Sequence, residues 1–364
     1  MKTKLFVMAA SLMLGGSFIA SAQSTRTLSA TKANDYGVVY TLPKTVLDIT
    51  IETETTEKQP GEFYKYAKKY LNIDNPIATP QISTTVKSVT VTERGVADES
   101  RRYNMQLKGG FSPFIVINNE NIPLSINTSD LYNEGDTPEL PVARKADPTP
   151  LQTEAARQVV SEEMLRSRSV AKRAELAAAQ IYALRQSRTD LITGQSDNMP
   201  PDGKAMQIVM DNIEAQEAAL MAMFVGTTKV WTEVKTVVYT PEDNVSDQVI
   251  ARVSATDGLV DADDLSGAPL TISVKITERG RMPENDKGET IPFPKNGVAY
   301  CIPGKADIKI KYEGKEMFNE RLPFAQFGVD YGMDPSAFTN KKTPVGIKLN
   351  GSTGAIMETV PAQM

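Results

Sequence analysis

The chain has 364 residues, with 40 Lys and Arg against 45 Asp and Glu, a formal charge of −5, no histidine and a single cysteine. The lack of histidine excludes Ser-His-Asp and Cys-His nucleophilic sites, His-ligated zinc and His general bases, and one cysteine excludes thiolate zinc sites and an internal disulfide. An acidic chain with no basic block has no electrostatic footprint for nucleic acid, which leaves carboxylate, lysine, tyrosine and oxygen-ligated metal chemistry.

Residues 1–22 carry Lys2 and Lys4, an apolar run and then Ala20-Ser21-Ala22, the pattern of a secretory signal peptide with a small-residue cleavage site. The mature chain is expected to be exported, to the periplasm, the outer membrane or beyond. No lipid anchor is expected, because no cysteine follows the cleavage site, and no transmembrane span is expected in the mature chain. Cys301 lies in a strand-like run and reads as a buried, inert thiol.

Residues 23–132 form the first expected β-rich domain. Around Pro43-Lys44, residues 36–42 and 45–55 alternate apolar and polar positions, the period of half-buried strands, and further strand signals fall at 83–93, 101–107, 114–117 and 122–126. Between them EFYKYAKKYL reads as a short helix. Its Tyr64, Lys65, Lys68 and Lys69 form a candidate partner or glycan surface, although Phe63, Tyr66, Ala67 and Tyr70 share a face suited to covering a sheet.

Residues 133–149 hold three prolines and no periodicity, and are expected to link domains. Thr149-Pro150-Leu151-Gln152 has the form of a helix start. A helical hairpin is expected over 150–226: a first helix running to Gly194, with a possible break at Ser167 and Ser169, then a second ending at Gly226. Each apolar stripe has one polar exception, Arg188 on the first helix and Glu217 on the second, and Met199, Met206, Met210, Met221 and Met223 lie in or beside the second. The methionines suit either an internal seam or an adaptable partner groove.

Strand signals return over 227–364, the second expected β-rich domain. The fold class is therefore α+β, two antiparallel-sheet or sandwich domains with a long helical hairpin between them. Asp257, Asp261, Asp263 and Asp264 crowd four carboxylates into eight residues and are calcium candidates, but their spacing departs from the EF-hand loop and suits a solvated acidic loop equally. No other cofactor and no catalytic residue is assigned.

Two echoes run through the chain. GVVYTLPKTVLDITIE at 37–52 shares its order of Gly-Val, Tyr, Pro and Asp-Ile with GVAYCIPGKADIKIK at 297–311, and TERG recurs at 92–95 and 277–280. The order of the two motifs is reversed between the halves, which favours a folding device used twice over a tandem duplication. The segments GVVYTLPKTVLDITIE, ARVSATDGLVDADDLSGAPLTISV, GVAYCIPGKADIKI, PFAQFGVD and NGSTGAIME, in this order, resemble the domain-of-unknown-function family numbered 4831, exported proteins of Bacteroides-group bacteria. The resemblance implies a Gram-negative envelope and brings no activity or catalytic residues. The expected role is a non-catalytic binding or scaffolding module with an envelope protein or glycan partner. The alternatives are a carboxylate-dependent glycan hydrolase, or a subunit of a secretion or surface assembly.

Overall fold

The computed structural model describes residues 37–106, 115–133, 138–201, 203–295, 297–340 and 343–362. The expected signal peptide and the start of the mature chain lie outside them. Residues 37–364 cluster as one compact unit.

The chain opens with β1 (Gly37–Gln59), a 3-10 turn (Tyr64–Tyr66), α1 (Ala67–Leu71) and β2 (Gln81–Gln106), then the short β3 (Ile115–Ile117) and β4 (Pro123–Ile126). A second 3-10 turn (Pro150–Gln152) leads into α2 (Glu154–Gln158), α3 (Glu162–Arg166), α4 (Val170–Thr193) and α5 (Gly203–Val225). The rest is β5 (Thr227–Tyr239), β6 (Val245–Ser254), β7 (Gly258–Val260), β8 (Ala268–Glu278), β9 (Val298–Tyr312), β10 (Lys315–Met333), α6 (Ser336–Thr339), β11 (Val345–Leu349) and β12 (Ile356–Pro361).

The chain is β-rich, and its strands form antiparallel sheets in the orders β2-β1-β5, β10-β9-β8-β6-β7 and β12-β11-β4-β3. Leu47, Ile49 and Ile51, alternate residues of β1 and so on one face, share a buried core with Leu270, Ile272, Ile308 and Ile310 of β8 and β9. This core runs across the boundary expected between an N-terminal and a C-terminal β-rich domain. β1 pairs with β5, and β4 with β11, so strands from both sides of residues 133–149 complete the same sheets. Non-local pairing leaves no mark in local periodicity.

The repeated Gly-Val-x-Tyr-x-x-Pro segments occupy equivalent places. Each lies at the start of a long strand, β1 or β9, and its Tyr stands opposite another Tyr: Tyr40 with Tyr103, and Tyr300 with Tyr331, both with ring centroids 6.1 Å apart. The register then jumps at the proline. Residues 98–101 of β2 lie between the partners of Thr41 and Pro43, and residues 325–328 of β10 between those of Ile302 and Gly304. Proline lacks the amide that would continue the ladder, and the bulged partner absorbs the bend. The second bulge also needs glycine, because a Cβ on Gly328 would lie 2.3 Å from the Ile302 carbonyl oxygen and one on Gly304 2.4 Å from that of Phe327.

Thr45 links the bends. β5 pairs with β1 only from Leu47 onward, so Thr45 has no strand on that side. The carboxamide of Gln326, from the β10 bulge, takes the place of one: Thr45 N–H donates to its Oε1 (3.0 Å), and its Nε2 donates to the Thr45 carbonyl (2.9 Å) and the Pro241 carbonyl (2.9 Å). Thr45 Oγ1 accepts from Ala325 N–H (3.0 Å) and donates to the Ser352 carbonyl (2.9 Å), all fully buried.

The helices form their own layer. The first helix is not continuous: it is broken at Ser161 and Ser169, whose hydroxyls cap α3 and α4 by accepting from Met164 N–H (3.2 Å) and Lys172 N–H (3.4 Å). Ala174, Ala177 and Ile181 of α4 pack with Leu220 and Phe224 of α5. The two polar exceptions meet each other, Glu217 accepting from Arg185 Nε at 2.6 Å and lying 3.6 Å from Arg188. Phe63 and Ala67 bury into this helical cluster, Phe63 against Phe224 at 5.4 Å, and not onto the sheet that their shared face would suit.

Thr45→Val keeps the volume and strands the buried Ala325 amide and Ser352 carbonyl. The expected loss is about 3 kcal/mol, read by urea denaturation as a lower midpoint at unchanged slope.

Candidate functional site

In the first candidate surface the lysines have partners within their own segment. Lys65 and Lys69 lie over the rings of neighbouring Tyr64 and Tyr70, Lys68 pairs with Asp74 at 2.5 Å, and Tyr182 donates to the Tyr70 carbonyl at 3.0 Å. The lysines are solvated while the aromatic side of the segment packs on the helices.

Asp257, Asp261, Asp263 and Asp264 border one open depression of about 490 Å3, with Lys235 beside them. They do not converge: among the described residues no group of three or more acidic or thiol side chains is placed to hold a metal ion. The loop is ordered by its own hydrogen bonds instead. Asp257 accepts from Ser254 (3.0 Å) and Thr256 (2.7 Å), and Asp264 accepts from Ser266 N–H (2.9 Å), which holds its carboxyl below the ordinary aspartate value. Arg252 anchors both sides through the Ala262 and Gly267 carbonyls.

A partly buried ionic cluster joins the two bends. Arg101, in the β2 bulge, makes a bidentate pair with Asp330 of β10 and donates to the Pro43 carbonyl at 3.0 Å, and Tyr103 donates to the same carboxylate. Burial opposes the Arg101 charge, but the bonds to Asp330 outweigh it and raise its pKa above the ordinary arginine value. Cys301 is buried beside this cluster, and desolvation pushes its thiol up against the opposing pull of Arg101. Every polar group here has a partner, so the cluster fastens strands together.

A further cleft was not singled out from sequence. It measures about 430 Å3 and opens where residues 142–150 cross the edge of β5. Its walls include Glu52, Glu54, Lys87, Arg144, Trp231 and Thr232. Arg144 straps the edge by exchanging backbone bonds with Thr232, N–H to O at 3.1 and 2.9 Å. The strap's far end is fixed by Gln152, whose Oε1 accepts from Thr149 N–H at 3.1 Å. Glu52 and Glu54 stand two apart on β1 and so on one face of the strand. Glu52 is buried and accepts from Lys87 Nζ (2.8 Å) and Ser88 Oγ (2.9 Å). The bond from Lys87, more than burial opposes it, holds its carboxyl below the ordinary glutamate value. The half-buried Trp231, the only tryptophan in the chain, lines the same space. The signal was visible in the alternating acids of ITIETET and in the lone Trp, but only strand pairing brings them together.

A family model matches residues 36–357, a span that contains the cleft, the strap and both echoed strands. The chain belongs to the family described as Domain of unknown function (DUF4831). The DUF4831 match confirms the resemblance read from the separate segments. Neither a curated protein nor a solved structure matches the chain. No helix among the described residues is long and apolar enough to cross a membrane.

Because its folded-state pKa is depressed, Glu52 contributes stability above the unfolded carboxylate value near ~4.3, and that contribution is lost as pH falls through the lower folded value. Glu52→Gln is therefore expected to be less stable than the wild type at pH 7, with the difference closing as pH falls below about 4. Thermal melts of both proteins across pH 3–7 check it.

Proposed function

We propose that this DUF4831 member is an exported binding module of the bacterial envelope that holds a glycan segment in the Trp231 cleft, on a rigid scaffold of packed sheets. The export pattern at residues 1–22 supports the location. The observation that carries the binding reading is the cleft itself. The walls set Val142, Val230 and Trp231 beside Glu52, Glu54, Lys87 and Arg144, so apolar surface lies next to acceptors and donors, the mixture that orients a polyhydroxylated ligand.

Binding is favoured over hydrolysis by the carboxylates' arrangement. A glycoside hydrolase needs one carboxyl protonated and a second facing it across the scissile bond. Glu52 is held ionised by Lys87 and Ser88, and Glu54 is its neighbour on one strand, side by side at roughly 6.6 Å between Cα atoms.

Calorimetric titration with soluble peptidoglycan fragments and envelope oligosaccharides tests the reading. Saturable binding is expected, weakened at least ~tenfold by Trp231→Ala and unchanged when Lys65, Lys68 and Lys69 are all replaced by Ala. Wild-type protein that binds none of these probes, or binds them regardless of Trp231, sinks it.

A second reading, a subunit of a surface assembly docked through the helices, is favoured by Ile192, Met199 and Ile208. These lie at the loop end of α4 and α5 and are 70%, 46% and 55% exposed. In this reading α4 and α5 act as a projecting hairpin and the apolar end meets a partner protein. Cross-linking in intact cells is expected to recover one envelope protein repeatedly, and the paired changes Ile192→Asp and Ile208→Asp to abolish its recovery. Unchanged recovery from the doubly substituted protein removes the helices from the interface.

A further inference from the structure

We propose that two copies of this chain pair antiparallel through the open edge of β5, about a twofold axis at Val234, with the Arg144 strap as the contact that competes for that edge. β5 is the end strand of the β2-β1-β5 sheet. Its bonds to Arg144 show that the amide and carbonyl of Thr232 point away from β1. With a period of two, so do those of Val230, Val234, Thr236 and Val238. Among the described residues, Arg144 makes the only backbone bonds on that side of β5, and Val238 is 58% exposed. An open edge of this length is a template for another strand.

The occupant is identified by β5's own order of residues, V-W-T-E-V-K-T-V-V at 230–238, which is self-complementary when reversed. With the axis at Val234, Glu233 of each copy stands opposite Lys235 of the other. Thr232 then faces Thr236, Trp231 faces Val237 and Val230 faces Val238. Opposite charges directly across a pair stabilise it, and like charges do the reverse. Moving the axis to Thr232 sets Lys235 against Lys229, and moving it to Thr236 leaves both charges opposite Val237 and Tyr239. Of these registers only the one at Val234 sets both charges against their opposites, and alternation makes any slip costly. Both charged residues are exposed in the single chain.

The strap gives up two backbone bonds per copy when the edge is taken, whereas a ladder from Val230 to Val238 forms about ten across the pair. Closure about a twofold axis uses up both edges and ends the assembly at two, which separates it from open-ended aggregation. The ladder takes the β5 edge on which the Trp231 cleft opens, so a second copy and a ligand in the cleft compete, and sedimentation without any glycan reads the dimer alone.

Sedimentation velocity of the purified protein over a wide concentration range tests the proposal. A reversible dimer is expected, and Arg144→Pro, which deletes the competing amide, is expected to tighten it. Glu233→Lys or Lys235→Glu alone places like charges at two symmetric positions and is expected to weaken the dimer roughly tenfold, with the double exchange restoring it. A protein that stays monomeric even as Arg144→Pro, or a dimer indifferent to the single exchanges, or single losses that the double exchange fails to restore, overturns it.

Discussion

The carboxamide of Gln326 acts as a missing strand for Thr45, and the joining of the sheets depends on that substitution. Packed antiparallel sheets need their long strands to bend where the sheets part, and a bend in a ladder leaves backbone groups without partners in the interior. Here the unpaired amide and carbonyl of Thr45 meet the Oε1 and Nε2 of one side chain, at the spacing a strand residue would have offered. The same amide group reaches the Pro241 carbonyl just after β5 ends, so three segments distant in sequence close around it. The Thr45 hydroxyl then ties in Ala325 and the C-terminal turn at Ser352. Beside it the Arg101 to Asp330 pair joins the β2 and β10 strands where they bulge. The two repeated segments are thus neighbours in space as well as alike in sequence, each bent at its proline against a bulged partner.

Once the bends are fixed, the remaining architecture follows from where they send the chain. The straight lower parts of β1 and β9 bury their apolar faces against each other's sheets, which leaves the alternate face of β1 to polar residues. Thr50, Glu52 and Glu54 lie there, Thr50 bonded to Thr236 and Glu52 to Lys87 and Ser88. The helical layer packs through alanine-rich contacts around Phe63 and Phe224, and the Arg185 and Glu217 pair bridges α4 and α5.

The cleft arises as a by-product of an edge. β5 ends its sheet, and residues 142–150, too rich in proline to pair along their length, touch it with a single bridge at Thr232. The gap beside that bridge is the cleft that Trp231, Glu52 and Glu54 line. Edge protection and ligand space are therefore one structural feature: a longer pairing by the strap would bury the edge and erase the cleft.

Much of the local structure was legible in the sequence. Alternation along ITIETET and KADIKIK gave strands, Thr149 and Gln152 announced a helical start, Ser169 marked a helix entry, and Arg188 with Glu217 marked the polar points of two apolar stripes. The missing histidine and lone cysteine settled which chemistries are absent. Local patterning carries such information because period and capping act within a few residues. Domain division, the burial of Phe63 against helices and the site were decided elsewhere. A strand's alternation says that one face will be buried but not which strand lies beside it, and proline-rich composition reads as a linker whether or not the chain returns across it. Pairing of β1 with β5 brings residues about 180 positions apart to one edge. Sequence determined which residues would form strands and helices and which would want partners. Only the tertiary structure decided that Glu52, Trp231 and Arg144 would share a cleft, because that depends on the order of strands in a sheet, which local propensity does not encode.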